Sequence, residues 1–199
     1  MQMYTIIEDC SPYYIRFTWE GISNLIKTVS EHPIDLSNGL KRSGYVHYNY
    51  GPEMSNYIVS NLPMKDIVDI DKERVAIFVT PPGGKSVIHK DGKAARYSIN
   101  LPIIINDDKC ITRWYNDELL DTFEKENDDY SRVIVVNSDL PEPSKAITVK
   151  SNECILFNTD IYHSWDNGDS SRERRILTLR DSDIENVYFT DIKKILFGI

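Results

Sequence analysis

The stretch Ser86-Val87-Ile88-His89-Lys90-Asp91-Gly92, followed by Arg96-Tyr97-Ser98-Ile99-Asn100-Leu101-Pro102-Ile103, decides how this chain is read. It sets an imidazole and a carboxylate two residues apart at the end of an extended run, just before a glycine turn. In a strand, residues i and i+2 point to the same face, so His89 and Asp91 can converge on one metal ion. His163 is the sole histidine after this stretch, in Phe157-Asn158-Thr159-Asp160-Ile161-Tyr162-His163-Ser164-Trp165. Folded back to the same point, it completes a set of two imidazoles and one carboxylate, an arrangement suited to non-haem Fe(II) with open positions for oxygen chemistry. His32 and His47 have no carboxylate at i+2 and read as structural.

Working outward, residues 4–19 read as extended, and Ile22, Leu25, Ile26 and Val29 recur at helical spacing before His32-Pro33 ends the segment. Tyr45–Tyr50 reads as a strand and residues 53–62 as a short helix. From about Arg74 the chain is strand after strand: Val75–Thr80, Lys85–Asp91, Arg96–Ile105, Cys110–Tyr115, Arg132–Val136, Ala146–Val149, Glu153–Phe157 and Arg174–Leu179. Turn residues such as Asp91-Gly92 and Asn167-Gly168-Asp169 separate them. Short strands at this density, with no βαβ rhythm, predict a mainly β sandwich or barrel. An acidic, weakly helical stretch at 116–131 reads as a surface insertion. Ser182-Asp183-Ile184-Glu185 has the form of a capping box, and Ile184, Val187, Tyr188, Ile192, Ile195 and Leu196 form a stripe on a C-terminal helix packed outside the sheet. That stripe is also where a second copy could pair to make a homodimer. The organisation expected is one domain over residues 1–199: N-terminal strands and helix over 1–73, a β core over 74–180 and the C-terminal helix over 181–199.

Composition narrows the class. The chain has 199 residues, is 41% hydrophobic and 27% charged, and carries a net charge of −8, which argues against general nucleic-acid binding. No apolar run has the length of a membrane span and no early segment reads as a signal peptide. Cys10, Cys110 and Cys154 are odd in number and widely spaced, as free thiols in a reducing compartment would be. The expected location is cytoplasmic.

Arg174-Arg175-Ile176-Leu177-Thr178-Leu179 adds the remaining chemistry. An arginine facing inward from an apolar strand is costly to bury without an anion, and a guanidinium grips a carboxylate with two parallel hydrogen bonds. Arg175, leading the strand core, is assigned to the site, and Arg174 to solvent with acidic neighbours. Lys85, Lys90, Lys93, Arg96 and Arg113 lie around the same stretches as a solvated rim or an attraction for anions. Tyr45, Tyr48, Tyr50 and Trp114 read as core or rim aromatics first, and as a substrate wall second.

Taken in order, His89-Lys90-Asp91, His163 and Arg175, with R-Y-S-I-N-L-P-I at 96–103 and R-R-I-L-T-L-R-D at 174–181, resemble the 2-oxoglutarate- and Fe(II)-dependent oxygenases. They are most similar to the aspartyl/asparaginyl β-hydroxylase branch and more loosely to the prolyl hydroxylases. The resemblance covers about residues 75–181 and implies a double-stranded β-helix, the cupin-like jelly roll. It further implies metal ligation by His89, Asp91 and His163, with 2-oxoglutarate and O2 as co-substrates. Arg175 would hold the distal carboxylate, aided by Ser98 or Tyr97, with Asn100 as a further inward position. The family's small hydroxyl two residues after the arginine is replaced by Leu177, and Arg180-Asp181-Ser182 is set aside as part of the capping region. The expected activity is hydroxylation of a peptidyl or free amino-acid-like substrate, releasing succinate and CO2. The rival reading is a cupin-like metal-binding protein without turnover.

Overall fold

The computed structural model describes residues 4–42, 44–91, 95–105, 109–120, 125–126, 132–133, 141–168, 170–183 and 186–199. The strands form two antiparallel sheets. The larger has eight, in the order β1 (Thr5–Cys10), β2 (Tyr14–Thr18), β12 (Cys154–Asn158), β7 (Tyr97–Ile104), β14 (Arg174–Leu179), β5 (Ala76–Thr80), β4 (Tyr45–Asn49) and β3 (Leu40–Arg42). The smaller has six: β11 (Lys145–Thr148), β8 (Ile111–Trp114), β13 (His163–Asp166), β6 (His89–Lys90), β10 (Arg132–Val133) and β9 (Lys125–Glu126). This is the jelly roll, and the N-terminal strands extend the larger sheet from both edges rather than merely supporting it.

The two faces of the larger sheet are buried for different reasons. Its outer face carries Ile15, Phe17, Ile77, Val79, Tyr97, Ile99, Leu101, Leu156, Leu177 and Leu179, covered by α1 (Ile22–Glu31), α2 (Pro52–Ser60) and α3 (Phe189–Phe197). Ile22, Leu25 and Val29 recur every three to four residues, which is why α1 turns one stripe onto that face. Phe189, Ile192 and Leu196 do the same for α3. The inner face packs Tyr14, Ile155, Phe157 and Ile176 against Cys110, Trp114, Ile147 and Val149 of the smaller-sheet side. Trp114 stacks on Tyr14 with ring centroids 5.0 Å apart.

Three expectations are revised. The last helix begins at Phe189, where the Asp191 carboxylate accepts from the Tyr188 N–H at 2.9 Å; the anticipated capping box lies partly on Ile184 and Glu185, outside the described residues. His163–Asp166 is itself a strand, one that the expected strands did not include. The extended run at 85–91 contributes just His89-Lys90 to a sheet. Most of the 116–131 stretch lies outside the described residues, apart from a short 3-10 turn at Asp117–Leu119 and the strand pair residues Lys125 and Glu126.

One glycine anchors the run into the site. Gly44 has φ +87°, and a Cβ there would stand 2.3 Å from the Lys85 carbonyl oxygen. The turn between β3 and β4 therefore sits flush against the backbone that leads to His89.

Candidate metal centre

Between the sheets lies an open-mouthed cavity. It holds a candidate metal-ligating group, His89, Asp91 and His163, whose candidate ligand atoms all lie within 4.8 Å of one another. β13 and β6 pair with His163 directly opposite His89, which brings the imidazole centroids to 4.4 Å. Asp91 Oδ1 stands 3.6 Å from His89 Nε2 and 4.0 Å from His163 Nε2. Donors that each bond a shared ion at ~2.1 Å are at most ~4.2 Å apart, so these separations are compatible with a common ion.

Backbone carbonyls set the tautomers. His89 Nδ1 lies 2.9 Å from the Val87 oxygen, and His163 Nδ1 lies 2.9 Å from the Ile161 oxygen. A carbonyl can only accept, so each Nδ1 carries the proton and each Nε2 lone pair is left facing the carboxylate. Burial, reinforced by His89, pulls the His163 pKa down to about 4, so the ring is neutral at pH 7. Burial alone would raise the Asp91 carboxyl, but Arg180 and the two imidazoles outweigh it and hold the group below its ordinary value. Arg180 Nη2 donates to Asp91 Oδ2 at 3.1 Å, leaving Oδ1 as the oxygen turned to the histidines.

The arginine assignment reverses. Arg174, Ile176, Thr178 and Arg180 line the cavity, while Leu177 and Leu179 of β14 enter the core beneath the helices. Arg175 takes that outer side too, and its Nε donates to Glu173 at 2.6 Å. Arg174 is 6% exposed, its Nε has no hydrogen-bond partner, and its Nη2 makes just a long 3.5 Å contact to Thr112 Oγ1. Its guanidinium stands 5.5 Å over the Trp165 ring, and burial lowers its pKa to about 10, so it remains a cation. Among the described residues no carboxylate pairs with it.

Ser98 and Asn100 line the cavity as expected of alternate positions on β7, and Thr178 Oγ1 donates to Asn100 Oδ1 at 2.9 Å. That bond leaves the Asn100 amide hydrogens as the donors available to the cavity. Tyr97 points the other way into the helix-covered core, where its hydroxyl donates to Asp181 Oδ2 at 3.3 Å. Of the four aromatics singled out, Tyr45 lines the cavity, in edge contact with Phe78 at 5.3 Å and Trp165 at 5.6 Å. Tyr48 and Tyr50 pack with the outer core, and Trp114 belongs to the packing between the sheets. Phe78, Trp165, Arg174 and Arg180 are among the lining residues that reading by sequence did not assign to the site. Arg180 follows Thr178 by two residues, just beyond the end of β14, and keeps to the same cavity side.

Solved structures share the fold at low identity. HygX from Streptomyces hygroscopicus, solved with nickel and 2-oxoglutarate bound, is 10% identical over 85% of this chain and 83% of its own, with a TM-score of 0.51. SnoK, a non-heme alpha-ketoglutarate-dependent carbocyclase of nogalamycin biosynthesis, is 10% identical over 85% and 79%, with a TM-score of 0.47. The oxalate decarboxylase of Lactobacillus farciminis is 9% identical over 74% of this chain, with a TM-score of 0.42. The chain spans about a third of the length of that enzyme, 32%. No family model matches the chain, and no curated protein matches it in sequence. Among the described residues no helix is long and apolar enough to cross a membrane.

Proposed function

We propose that the chain is a non-haem Fe(II)- and 2-oxoglutarate-dependent oxygenase that hydroxylates a small, amino-acid-like molecule or a peptide side chain. The observation that carries this reading is Arg174, a buried cation with an unpartnered Nε and, among the described residues, no ion-paired carboxylate, in the same cavity as a His-Asp-His group. Its distance along the fold selects the ligand. Trp165, under the guanidinium, is two residues beyond His163 on β13, a step of about 7 Å along a strand. A diacid holding a metal through its 2-oxo-carboxylate end and a guanidinium through its distal carboxylate must span that gap. A five-carbon chain does so, whereas a monocarboxylate or oxalate leaves Arg174 unpaired.

His89, Asp91 and His163 would hold the metal, and the donor set of two imidazoles and one carboxylate is the one that suits iron with open positions. When bound, iron and 2-oxoglutarate supply the activation of O2 that converts a substrate C–H to C–OH, with 2-oxoglutarate leaving as succinate and CO2. The chain's own residues position and shield. Two backbone carbonyls accept from the Nδ1 atoms and so orient both Nε2 atoms towards the metal position, Arg180 keeps Asp91 oriented through Oδ2, and Arg174 would fix the co-substrate's far end. Phe157, whose ring lies 4.8 Å from that of His163, and Ile155 and Ile176 exclude water around them.

Anaerobic titration of Fe(II)-loaded protein with 2-oxoglutarate tests the proposal through the visible metal-to-ligand charge-transfer band. The wild type should develop the band. Arg174→Ala should weaken 2-oxoglutarate binding by roughly a hundredfold, as expected for a buried charge-assisted pair, while Arg175→Ala leaves it within roughly twofold. A wild type without the band, or the opposite ranking of the two variants, overturns it.

A further inference from the structure

The cavity contains a second guanidinium that the co-substrate does not require. Among the described side chains lining it, the charged ones are Asp91, Arg174 and Arg180. The two positive charges of a divalent ion are matched by the two negative charges of 2-oxoglutarate, and Asp91 matches one arginine. One arginine's charge is left over. The neighbouring acids are engaged or turned away: Asp166, which also acts on Arg174, pairs with Arg113, and Asp181 lies on the helix-covered side with the Tyr97 hydroxyl. An uncompensated cation in a partly desolvated cavity is costly, so the charge balance favours a guest bearing one negative charge.

Placement says which arginine is left and where the guest enters. The Arg174 and His163 side chains are nearly inaccessible, whereas the side chains of His89, Asp91 and Arg180 are 18%, 18% and 21% exposed. The cavity therefore opens at the Arg180 end. Arg180 makes one hydrogen bond through Nη2 to Asp91, and among the described residues its other N–H groups have no protein acceptor. Beside it lie Ser98, on the strand position opposite Phe157, and the Thr178–Asn100 pair that presents amide donors.

We infer that the substrate is a small monocarboxylate whose carboxylate is held by Arg180 at the mouth, beside the metal centre. This rests on the oxygenase reading and names its substrate class. A carboxylate suits the planar guanidinium fork, and its single charge balances the site where a phosphate monoester would overshoot it.

The anaerobic Fe(II)–2-oxoglutarate complex is the assay, with N-acetylglycine and N-acetyl-L-alanine as probes and the neutral N-acetylglycinamide as control. Either carboxylate should shift the charge-transfer band saturably, and the amide should need roughly tenfold more or fail to shift it, as loss of a charged hydrogen-bond partner dictates. Arg180→Lys, which keeps the positive charge beside Asp91, should retain the difference between acid and amide, and Arg180→Gln brought to the wild-type iron content should lose that difference even where its band is weaker. Equal response to acid and amide, no response to either acid, or an Arg180→Gln protein that discriminates like wild type overturns the inference. Absence of the band itself in the wild type would instead overturn the oxygenase reading beneath it.

Discussion

Arg174 and His163 are both buried, yet they handle charge in opposite ways. The guanidinium stays protonated because its pKa begins so high that even strong desolvation leaves it far above neutrality, while the imidazole gives up its charge. For His163 the sign of the linkage is clear. Its folded pKa of about 4 lies below the unfolded value of 6.5, so between those values the unfolded chain binds a proton that the folded chain does not. Metal-free protein should therefore lose stability as pH falls from 6.5 towards 4, read as a falling urea midpoint. His163→Gln should flatten that dependence relative to wild type; a slope unchanged by the substitution would count against the buried neutral ring.

At the scale of elements, β14 explains why the site was only partly legible. His89, Asp91 and His163 could be found because short polar motifs sit beside turns, and Ser98 and Asn100 because they interrupt an apolar strand at alternate positions. The arginines could not be ordered in this way. Ile176, Leu177 and Leu179 are all buried, since one face of β14 looks into the cavity and the other onto the helices, so the apolar pattern carries no parity. The pairing with β7 also shifts register between Arg175 and Ile176, which defeats counting across it. The strand at His163–Asp166 was obscured because Ser164 and Asp166 are polar yet buried, Ser164 through the Tyr115 hydroxyl at 2.9 Å and Asp166 through Arg113. The two faces separate by mutation. Leu177→Ala, on the helix side, should cost about 2–5 kcal/mol of unfolding free energy in urea while the folded protein keeps its metal affinity. Gly44→Ala should do the reverse of sparing the site: with backbone 2.3 Å from the new Cβ, the His89 run must shift, and metal affinity should fall along with stability.

Over the whole molecule, the C-terminal helix packs one face on its own sheet. Of the stripe from which pairing between copies was expected, Ile192 and Leu196 pack into the outer core with Val187 against it, while Tyr188 and Ile195 are exposed. The metal, by contrast, should act as a tie between segments distant in sequence. Nickel at about a hundred times its dissociation constant should stabilise the wild type by ~2.7 kcal/mol, seen as a higher Tm, and His163→Ala should remove most of the gain. The distribution of chemistry between the sheets has a consequence for how such a protein can change. Every proposed metal ligand sits on or beside the smaller sheet, while both arginines and the polar floor of Ser98, Asn100 and Thr178 belong to the larger one. Substitutions on the floor can therefore alter which guest is held without disturbing the ligands that hold the ion. A library confined to positions 98, 100 and 178 is a direct way to diversify the guests accepted, with the metal-loading step as a built-in check that each variant remains intact.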